Sequence, residues 1–252
     1  MPGPWPIGLG DPAGRRGVAY LRQMVERRAV GEPLQYVLGR WGFRQLDLFV
    51  DNRVLIPRPE TEQVVEAALA ELLRLPGPDP VVVDLGTGSG AIALSLALEA
   101  RTGVVWATDE SADALAVARA NLAGLGGRAA ARVRLAQGSW WAALPSELRA
   151  RVTLAVSNPP YVSSEEMKTL PAEVADWEPH SALDAGPTGL EDLAAIIAGA
   201  PDWLARPASL VAELAPHQAG AAIELARTAG FTPVEVHPDL AGRDRVLVAR
   251  LA

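Results

Sequence analysis

The 252-residue sequence contains no cysteine, which excludes a disulfide framework, a thiolate zinc site, an iron–sulfur cluster and a cysteine nucleophile together. Whatever chemistry occurs must use oxygen, nitrogen or a bound cofactor. Histidine is nearly as scarce. His180, His217 and His237 are the whole set, and no two share the i, i+4 spacing that puts two imidazoles on one helix face, so no metal site is expected. No stretch approaches the ~20 apolar residues of a membrane helix. The opening MPGPWPIGLGDPAGRR also lacks the charged leading region and apolar core of an export signal. The expectation is a cytoplasmic protein with no membrane role.

Lysine is almost missing too: Lys168 is the single one, and arginine carries the rest of the positive charge. The net charge of −7 argues against a chain whose task is to neutralise nucleic-acid phosphates. That charge is unevenly spread. Up to Arg58 there are nine arginines against five acids, a net of +4, which leaves −11 for the remainder. The plain reading is an Arg-rich solvated face on a small N-terminal module. With 49% hydrophobic and 21% charged residues the composition is that of an ordinary globular protein, long enough to bury a large core.

Residues 1–14 are rich in Pro and Gly without apolar periodicity and are expected to be poorly ordered. Val18, Leu21, Met24 and Val25 then recur at helical spacing, and Gly31-Glu32-Pro33 ends that helix. Leu46, Leu48 and Val50 alternate, Asp51-Asn52 reads as a turn, and Val54 and Ile56 alternate again, which predicts a β-hairpin. A helix follows from Pro59, with Val64, Val65, Ala68 and Leu72 as its apolar stripe, and Pro76 to Pro80 close it. From Val81 strands and helices alternate: VVVDL, a helix from about Gly90, VVWAT, a helix from about Ala112, VRLAQ and VTLAVS. Helices around Glu191–Leu204 and Ala219–Ala229 and strands at SLVAEL, Val234 and Val246 continue the pattern. Such alternation predicts an α/β fold on a mostly parallel sheet.

Three features in this segment carry chemistry. After the first strand, Asp84-Leu85-Gly86-Thr87-Gly88-Ser89-Gly90 opens directly into an apolar helix. Glycines on alternate residues let a ligand lie against backbone at a strand end and helix start, although a tight structural turn would look the same. The spacing is G-x-G-x-G and not the dinucleotide pattern G-x-G-x-x-G, which disfavours nicotinamide. Asp109 ends the second strand, where a carboxylate can accept from two vicinal ribose hydroxyls; the structural alternative is a helix-start acid, with Ser111 as the cap. Trp140 and Trp141 follow the third strand. Trp140 is divided between adenine packing and the core, and for Trp141 the core leads.

The sharpest feature is Ser157-Asn158-Pro159-Pro160-Tyr161, directly after VTLAV. Ligands of open α/β sheets sit beyond the carboxyl ends of strands, so this segment and the glycine loop should face one crevice. The Asn158 side-chain carbonyl and the Pro159 backbone carbonyl are two acceptors for the hydrogens of a planar NH2 group. Pro160 stiffens the backbone, and Tyr161 can lie against a flat amide or base.

Taken together these residues resemble the class I S-adenosylmethionine-dependent methyltransferases that act on amide or exocyclic nitrogen. Within that class the chain resembles the release factor glutamine N5-methyltransferases, the HemK/PrmC family. The collinear stretches that carry the resemblance are GEPLQYVLG (31–39), LIPRPETE (55–62), DLGTGSGAIALSLA (84–97), SNPPY (157–161), EPHSALDAGPTGL (178–190) and DLAGRDRVLVAR (239–250). The resemblance implies a Rossmann-like methyltransferase sheet, mostly parallel with an antiparallel strand near the C-terminus. It implies a helical module over 1–45, a β-hairpin and connector helix over 46–77, and the methyltransferase domain over 78–252. Gly86, Thr87, Gly88, Ser89 and Gly90 would hold the methionine part of S-adenosyl-L-methionine, Asp109 the ribose and Trp140 the adenine, with Asn158 touching the cofactor as well. Asn158, Pro159, Pro160 and Tyr161 would grip the glutamine of the Gly-Gly-Gln loop of bacterial peptide chain release factors, with Asn158, Pro159 and Tyr161 catalytic. By the same analogy Arg58 lines the substrate entrance, a surface arginine at a helix start being the alternative.

Two positions depart from the family pattern. Ser139 stands where an acid usually precedes the tryptophan, and the N-terminal helical module is short. Two other readings remain distinct: an N6-adenine methyltransferase acting on DNA or RNA, because the same grip suits a flipped adenine, and a non-catalytic binding protein on the same scaffold. The charge and the LIPRPETE and GEPLQY segments speak against a direct DNA role.

Overall fold

The computed structural model describes residues 14–75, 77, 79–100 and 103–252. The expectation of disorder at the N-terminus falls, apart from Gly14, outside these residues.

Helix α1 (Arg15–Ala29) and the short α2 (Leu34–Leu38) lead into a two-stranded antiparallel ribbon, β1 (Arg40–Phe43) with β2 (Leu46–Phe49). Helix α3 (Thr61–Arg74) follows. The sheet then alternates with helices: β3 (Val81–Leu85), α4 (Ala91–Glu99), β4 (Val104–Asp109), α5 (Ala112–Leu125), α6 (Gly127–Ala131), β5 (Val133–Gln137) and β6 (Val152–Ser157). After α7 (Ala172–Ala175) come α8 (Glu191–Trp203), β7 (Leu204–Glu213), α9 (Ala219–Thr228), β8 (Val234–Pro238) and β9 (Asp244–Leu251).

Seven of these strands form one sheet in the order β5-β4-β3-β6-β7-β9-β8. Pairing is parallel from β5 through β7 and antiparallel where β9 meets β7 and β8. The expected sheet, including its antiparallel C-terminal edge, is thus present. The inner strand β3 is buried from Val82 to Leu85 and is apolar except at Asp84, as expected of a strand with helices on both of its faces. Helix α4 beside it has every residue from Ala91 to Ala97 buried, as expected of a helix enclosed on all sides.

The hairpin lies earlier than its alternation predicts. Its strands are Arg40–Phe43 and Leu46–Phe49, joined at Arg44-Gln45, with Arg44 at φ +49°. Asp51-Asn52 is a turn of another kind: the Asp51 carboxylate accepts from the Arg53 N–H at 3.1 Å and its carbonyl from the Val54 N–H at 3.1 Å, closing an Asx-type turn. The next stretch runs through Pro57 and Pro59, which have no N–H to give a ladder. Val54 and Ile56 still turn into the core at 1% and 3% exposure, so their alternation records burial of an extended segment and not strand pairing.

Helix α3 is fixed from both sides. Val64, Val65 and Ala68 are fully buried against the sheet and α4. At its far end the buried Glu71 accepts from Arg250 at 2.8 and 2.9 Å and from Ser209 at 2.7 Å, which ties the helix to β9 and β7. These hydrogen bonds, chiefly those from Arg250, outweigh burial and hold the Glu71 carboxyl at about 2.

The arginine excess near the N-terminus is largely neutralised within the fold. Arg27 pairs with Glu32, Arg28 with Glu173, Arg40 with Asp47, Arg44 with Glu66 and Glu99, Arg53 with Asp51 and Arg58 with Glu178. Among the described residues no helix is long and apolar enough to cross a membrane.

Candidate active site

The strand order reverses at β3: the chain moves outward through β4 and β5, then returns to place β6 on the other side of β3. Loops leaving β3 and β6 therefore diverge and open a crevice at the carboxyl end of the sheet. The glycine loop leaves β3 and Asn158–Tyr161 leaves β6, so the two segments singled out by sequence are neighbours. The Ser157 hydroxyl donates to the Leu85 carbonyl at 2.7 Å and locks the two strand ends together.

Gly86, Gly88 and Gly90 all sit in the left-handed region, at φ +75°, +54° and +87°. Each answers a different need. A Cβ on Gly86 would meet the Trp140 ring at 3.2 Å, one on Gly90 would meet Leu94 at 3.1 Å, and one on Gly88 would project into open space. Gly88 is thus the point of bare backbone presented to a ligand, while Gly90 turns inward to let α4 approach α5. The loop is held by its neighbours: the N–H groups of Gly86 and Thr87 donate to the Thr108 carbonyl at 3.0 and 2.8 Å, and Asn121 donates to the Ser89 carbonyl at 2.8 Å.

Two carboxylates lie behind and beside this loop. Asp84 is wholly buried; its Oδ2 accepts from Thr87 Oγ1 at 2.6 Å and from the Ala93 N–H at 3.0 Å, while Oδ1 has no partner. Burial pushes its carboxyl up to about 7. Asp109 accepts from the Gly88 N–H and the Ser111 N–H, both at 2.9 Å. Burial also raises the Asp109 carboxyl, against those two hydrogen bonds. Ser111 caps α5 by accepting from the Ala114 N–H, so helix capping and Asp109 are separate features.

A cavity with about 1160 Å³ of free space, open to solvent, runs along this loop. Gly86, Thr87, Gly88, Ser89, Asp109, Trp140 and Asn158 line it, and Gly90 does not. Trp140 takes a left-handed backbone, φ +43°, that a large side chain rarely adopts, which lays its ring over Gly86. Trp141 points the other way: it is buried, donates to the Ile196 carbonyl at 2.9 Å and stacks on Trp203 at 6.2 Å between centroids.

A second hollow, with about 570 Å³ of free space that is open to solvent, adjoins the first, lined by Pro159, Tyr161, Arg58 and apolar side chains from Leu55, Leu170 and Val174. Leu55, Asn158 and Ala182 line both, so the two spaces meet at Asn158. The Asn158 Nδ2 donates to Thr61 Oγ1 at 3.2 Å, and its Oδ1 is buried without a hydrogen-bond partner. Unmet acceptors of this kind are uncommon in folded proteins and mark a place for a donor that arrives from outside. Arg58 is partly exposed at the rim of the second cavity, where Glu178 holds it at 2.5 Å; the same Glu178 accepts from the Ile56 N–H at 3.0 Å, fastening the LIPRPETE segment to the opposite wall.

Sequence reasoning missed three residues that the fold brings here. Thr61 and Glu213 stand behind Asn158, and Asp192, at the start of α8, lines the first cavity with its carboxyl toward the Trp140 indole. Thr61 lies in LIPRPETE and was open to notice; Asp192 and Glu213 arrive from elements far along the chain and carry no local signal.

The methyltransferase small domain profile matches residues 66–174. The chain is 42% identical to the release factor glutamine methyltransferase of Cereibacter sphaeroides over 248 residues, 97% of this chain and 84% of that one. It is 45% identical to the release factor glutamine methyltransferase of Moorella thermoacetica over 90% of this chain and 78% of that one. Among solved structures, the catalytic domain of hMettl16 in complex with MAT2A 3'UTR hairpin 6 superposes with a TM-score of 0.64 at 17% identity, covering 87% of this chain and 79% of that one. The glycopeptide N-methyltransferase MtfA superposes at 0.51 with 17% identity, covering 76% and 95%. At those identities the two structures speak for the fold alone.

Proposed function

The chain belongs to the release factor glutamine methyltransferase family, and on that premise we propose that it transfers a methyl group from S-adenosylmethionine to the side-chain amide nitrogen of the Gly-Gly-Gln glutamine in bacterial peptide chain release factors. The observation that carries this reading is Asn158 Oδ1, a buried acceptor with no partner at the meeting point of two cavities. One cavity suits a nucleoside bearing an amino-acid chain; the other suits the narrow side chain that receives the methyl group.

The residues present fit the cofactor. Bare backbone at Gly88, the unpartnered acceptor Asp84 Oδ1 buried behind the loop and the open Trp140 face offer, in order, room for the amino-acid part, a place for a donor and a flat apolar wall. Gly86 to Ser89 would hold the methionine portion. Asp109 retains free lone pairs beyond its two backbone bonds and would accept from the ribose hydroxyls. Trp140 would cover the adenine, and Asp192 beside it would supply the acid that Ser139 does not. When bound, S-adenosylmethionine supplies an electrophilic methyl group on a sulfonium.

The protein's part is positioning. Asn158 Oδ1 and the Pro159 carbonyl would accept the two amide hydrogens of the substrate glutamine, turning the nitrogen lone pair toward the first cavity. Tyr161 would support the amide plane from the second. No strong base is required before transfer, because the site would hold the nitrogen in line with an already activated methyl group. As the N–C bond formed and the sulfonium C–S bond broke to leave the thioether, the nitrogen would release one of its two hydrogens to water past the carbonyls that accept them. The division into 1–45, 46–77 and 78–252 belongs to the same proposal, with the first part meeting the substrate protein and the last holding the cofactor.

Incubating the protein with cofactor and a release factor, then weighing the intact substrate, tests the function. One methyl gained and mapped to the Gly-Gly-Gln peptide is the expected result. Label appearing only on DNA or RNA offered in parallel would replace this reading with the adenine one.

A further inference from the structure

The polarity of the hydrogen bonds behind Asn158 has a chemical consequence. Glu213, the last residue of β7, is 1% exposed. The Thr61 hydroxyl lies 2.7 Å from Glu213 Oε2, and 3.2 Å from Asn158 Nδ2. A carboxylate only accepts, and a hydroxyl has a single proton. If Thr61 gives that proton to Glu213, its oxygen can only accept from Asn158. The Asn158 amide must then present NH2 to Thr61 and its carbonyl to the cavity, the orientation that leaves Oδ1 unpartnered. A flipped amide would set its carbonyl against an oxygen with no proton to offer.

We propose that Glu213 and Thr61 are positioning residues that fix the Asn158 amide with its carbonyl toward the substrate nitrogen, so that a carboxylate on β7 dictates which hydrogens the active site can receive. The inference rests on the function proposed above. The same carboxylate also bears on Tyr161: burial first, and then the Glu213 charge, push its phenol up to about 12. Burial, the largest influence, raises the Glu213 carboxyl and Glu60 adds to that, while the Thr61 hydroxyl and the Arg245 guanidinium favour the ionised form that this hydrogen-bond polarity uses. Arg245 is itself 9% exposed, lies 5.9 Å above the Tyr161 ring and donates to the Leu214 carbonyl at 3.1 Å, so its charge is fixed in place. Thr61 opens α3, and the seating of that helix therefore bears on the chemistry.

The test compares Thr61→Val, which keeps shape and loses the hydroxyl, with Thr61→Ser, which keeps the hydroxyl. Each is measured for methyl transfer to a release factor and for cofactor affinity by calorimetry. We expect Thr61→Val to lower kcat about 10- to 100-fold with cofactor Kd within about threefold, and Thr61→Ser to retain at least about a third of the turnover. In an Asn158→Ala background Thr61→Val should add nothing further, because Thr61 acts through Asn158. Thr61→Val turning over as fast as Thr61→Ser, or lowering transfer equally in both backgrounds, would overturn the positioning role alone. No transfer to release factor by the unaltered protein would remove the function and this inference with it. Should Thr61→Val fail to fold, Glu213→Met, of similar volume and with no oxygen to accept from Thr61, is compared in the same way with Glu213→Gln, which keeps such an oxygen; a fall in kcat confined to Glu213→Met is expected, and equal turnover of the two would overturn the positioning role.

Discussion

Helices α1 and α3 stand on either side of the hairpin, with 15 and 14 residues and an apolar stripe on each. They are seated in opposite ways. α3 buries Val64, Val65 and Ala68 completely and is bolted to the sheet by Glu71, whereas α1 buries no residue and leaves Tyr20, Leu21 and Val25 about 60% exposed. Periodicity names the face of a helix that is apolar; only contacts from distant elements say whether anything covers it. The contrast has a functional side as well. α3 places Thr61 behind the reacting centre, so its rigidity is part of the site, while the described part of α1 touches neither cavity.

The contrast sharpens most at the end of the network that begins in α3. Replacing Asn158 with Ala should lower kcat about 10²- to 10³-fold, as expected when a polar group aimed at the reacting centre is removed, with cofactor Kd changing far less. Single-turnover methylation beside calorimetry would show it. Near-normal turnover would break the link between the seated helix and the chemistry. Next in size is Val65→Ala. Loss of two buried carbons and the resulting cavity should cost about 2 kcal/mol in urea unfolding, with an unchanged dependence on denaturant. Smaller again is Asp192→Asn, which leans on neither helix and calibrates the crevice by itself. The loss of a charge-assisted contact should weaken cofactor about fivefold to tenfold, or about 1 kcal/mol, without lowering kcat at saturation. A comparable fall in kcat with no change in Kd would place Asp192 outside the cofactor cavity's work.

Much of the architecture was legible because local pattern and global fold agree. VVVDL, VVWAT, VRLAQ and VTLAVS are short segments rich in valine and other apolar residues that alternate with helical patterns, and each became a parallel strand. The glycine loop and Asn158–Tyr161 were legible for a related reason: loops that leave neighbouring strands at the reversal of strand order border one crevice, whatever the helices do. The hairpin was misplaced because Val54 and Ile56 alternate as a strand would, yet their backbone partners come from elsewhere, the Ile56 N–H going to Glu178 far along the chain. Glu213 lay hidden in a strand that read as plain apolar sequence, and a buried carboxylate is visible only once its donors are known. Trp140 and Trp141 are adjacent and alike, and a single left-handed residue at Trp140 sends one ring to the cavity and the other to the core.

The smallest expected effect is the strictest test of the comparison. On α1, Leu21→Ser and Val25→Ser remove apolar surface that is already mostly in water among the described residues, so little transfer free energy is at stake. Each should change stability by less than about 0.5 kcal/mol, the range of substitutions that touch nothing. The same change on α3, Val64→Ser, puts a hydroxyl into a fully buried position and should cost several times more, since an unpaired polar group is added to the cavity. Measured side by side in urea, the pair separates two kinds of apolar stripe that the sequence writes identically. A cost above about 1 kcal/mol at Leu21 would mean that its face is covered in solution, and the difference between the two helices would then lie in what covers them and not in whether they are covered.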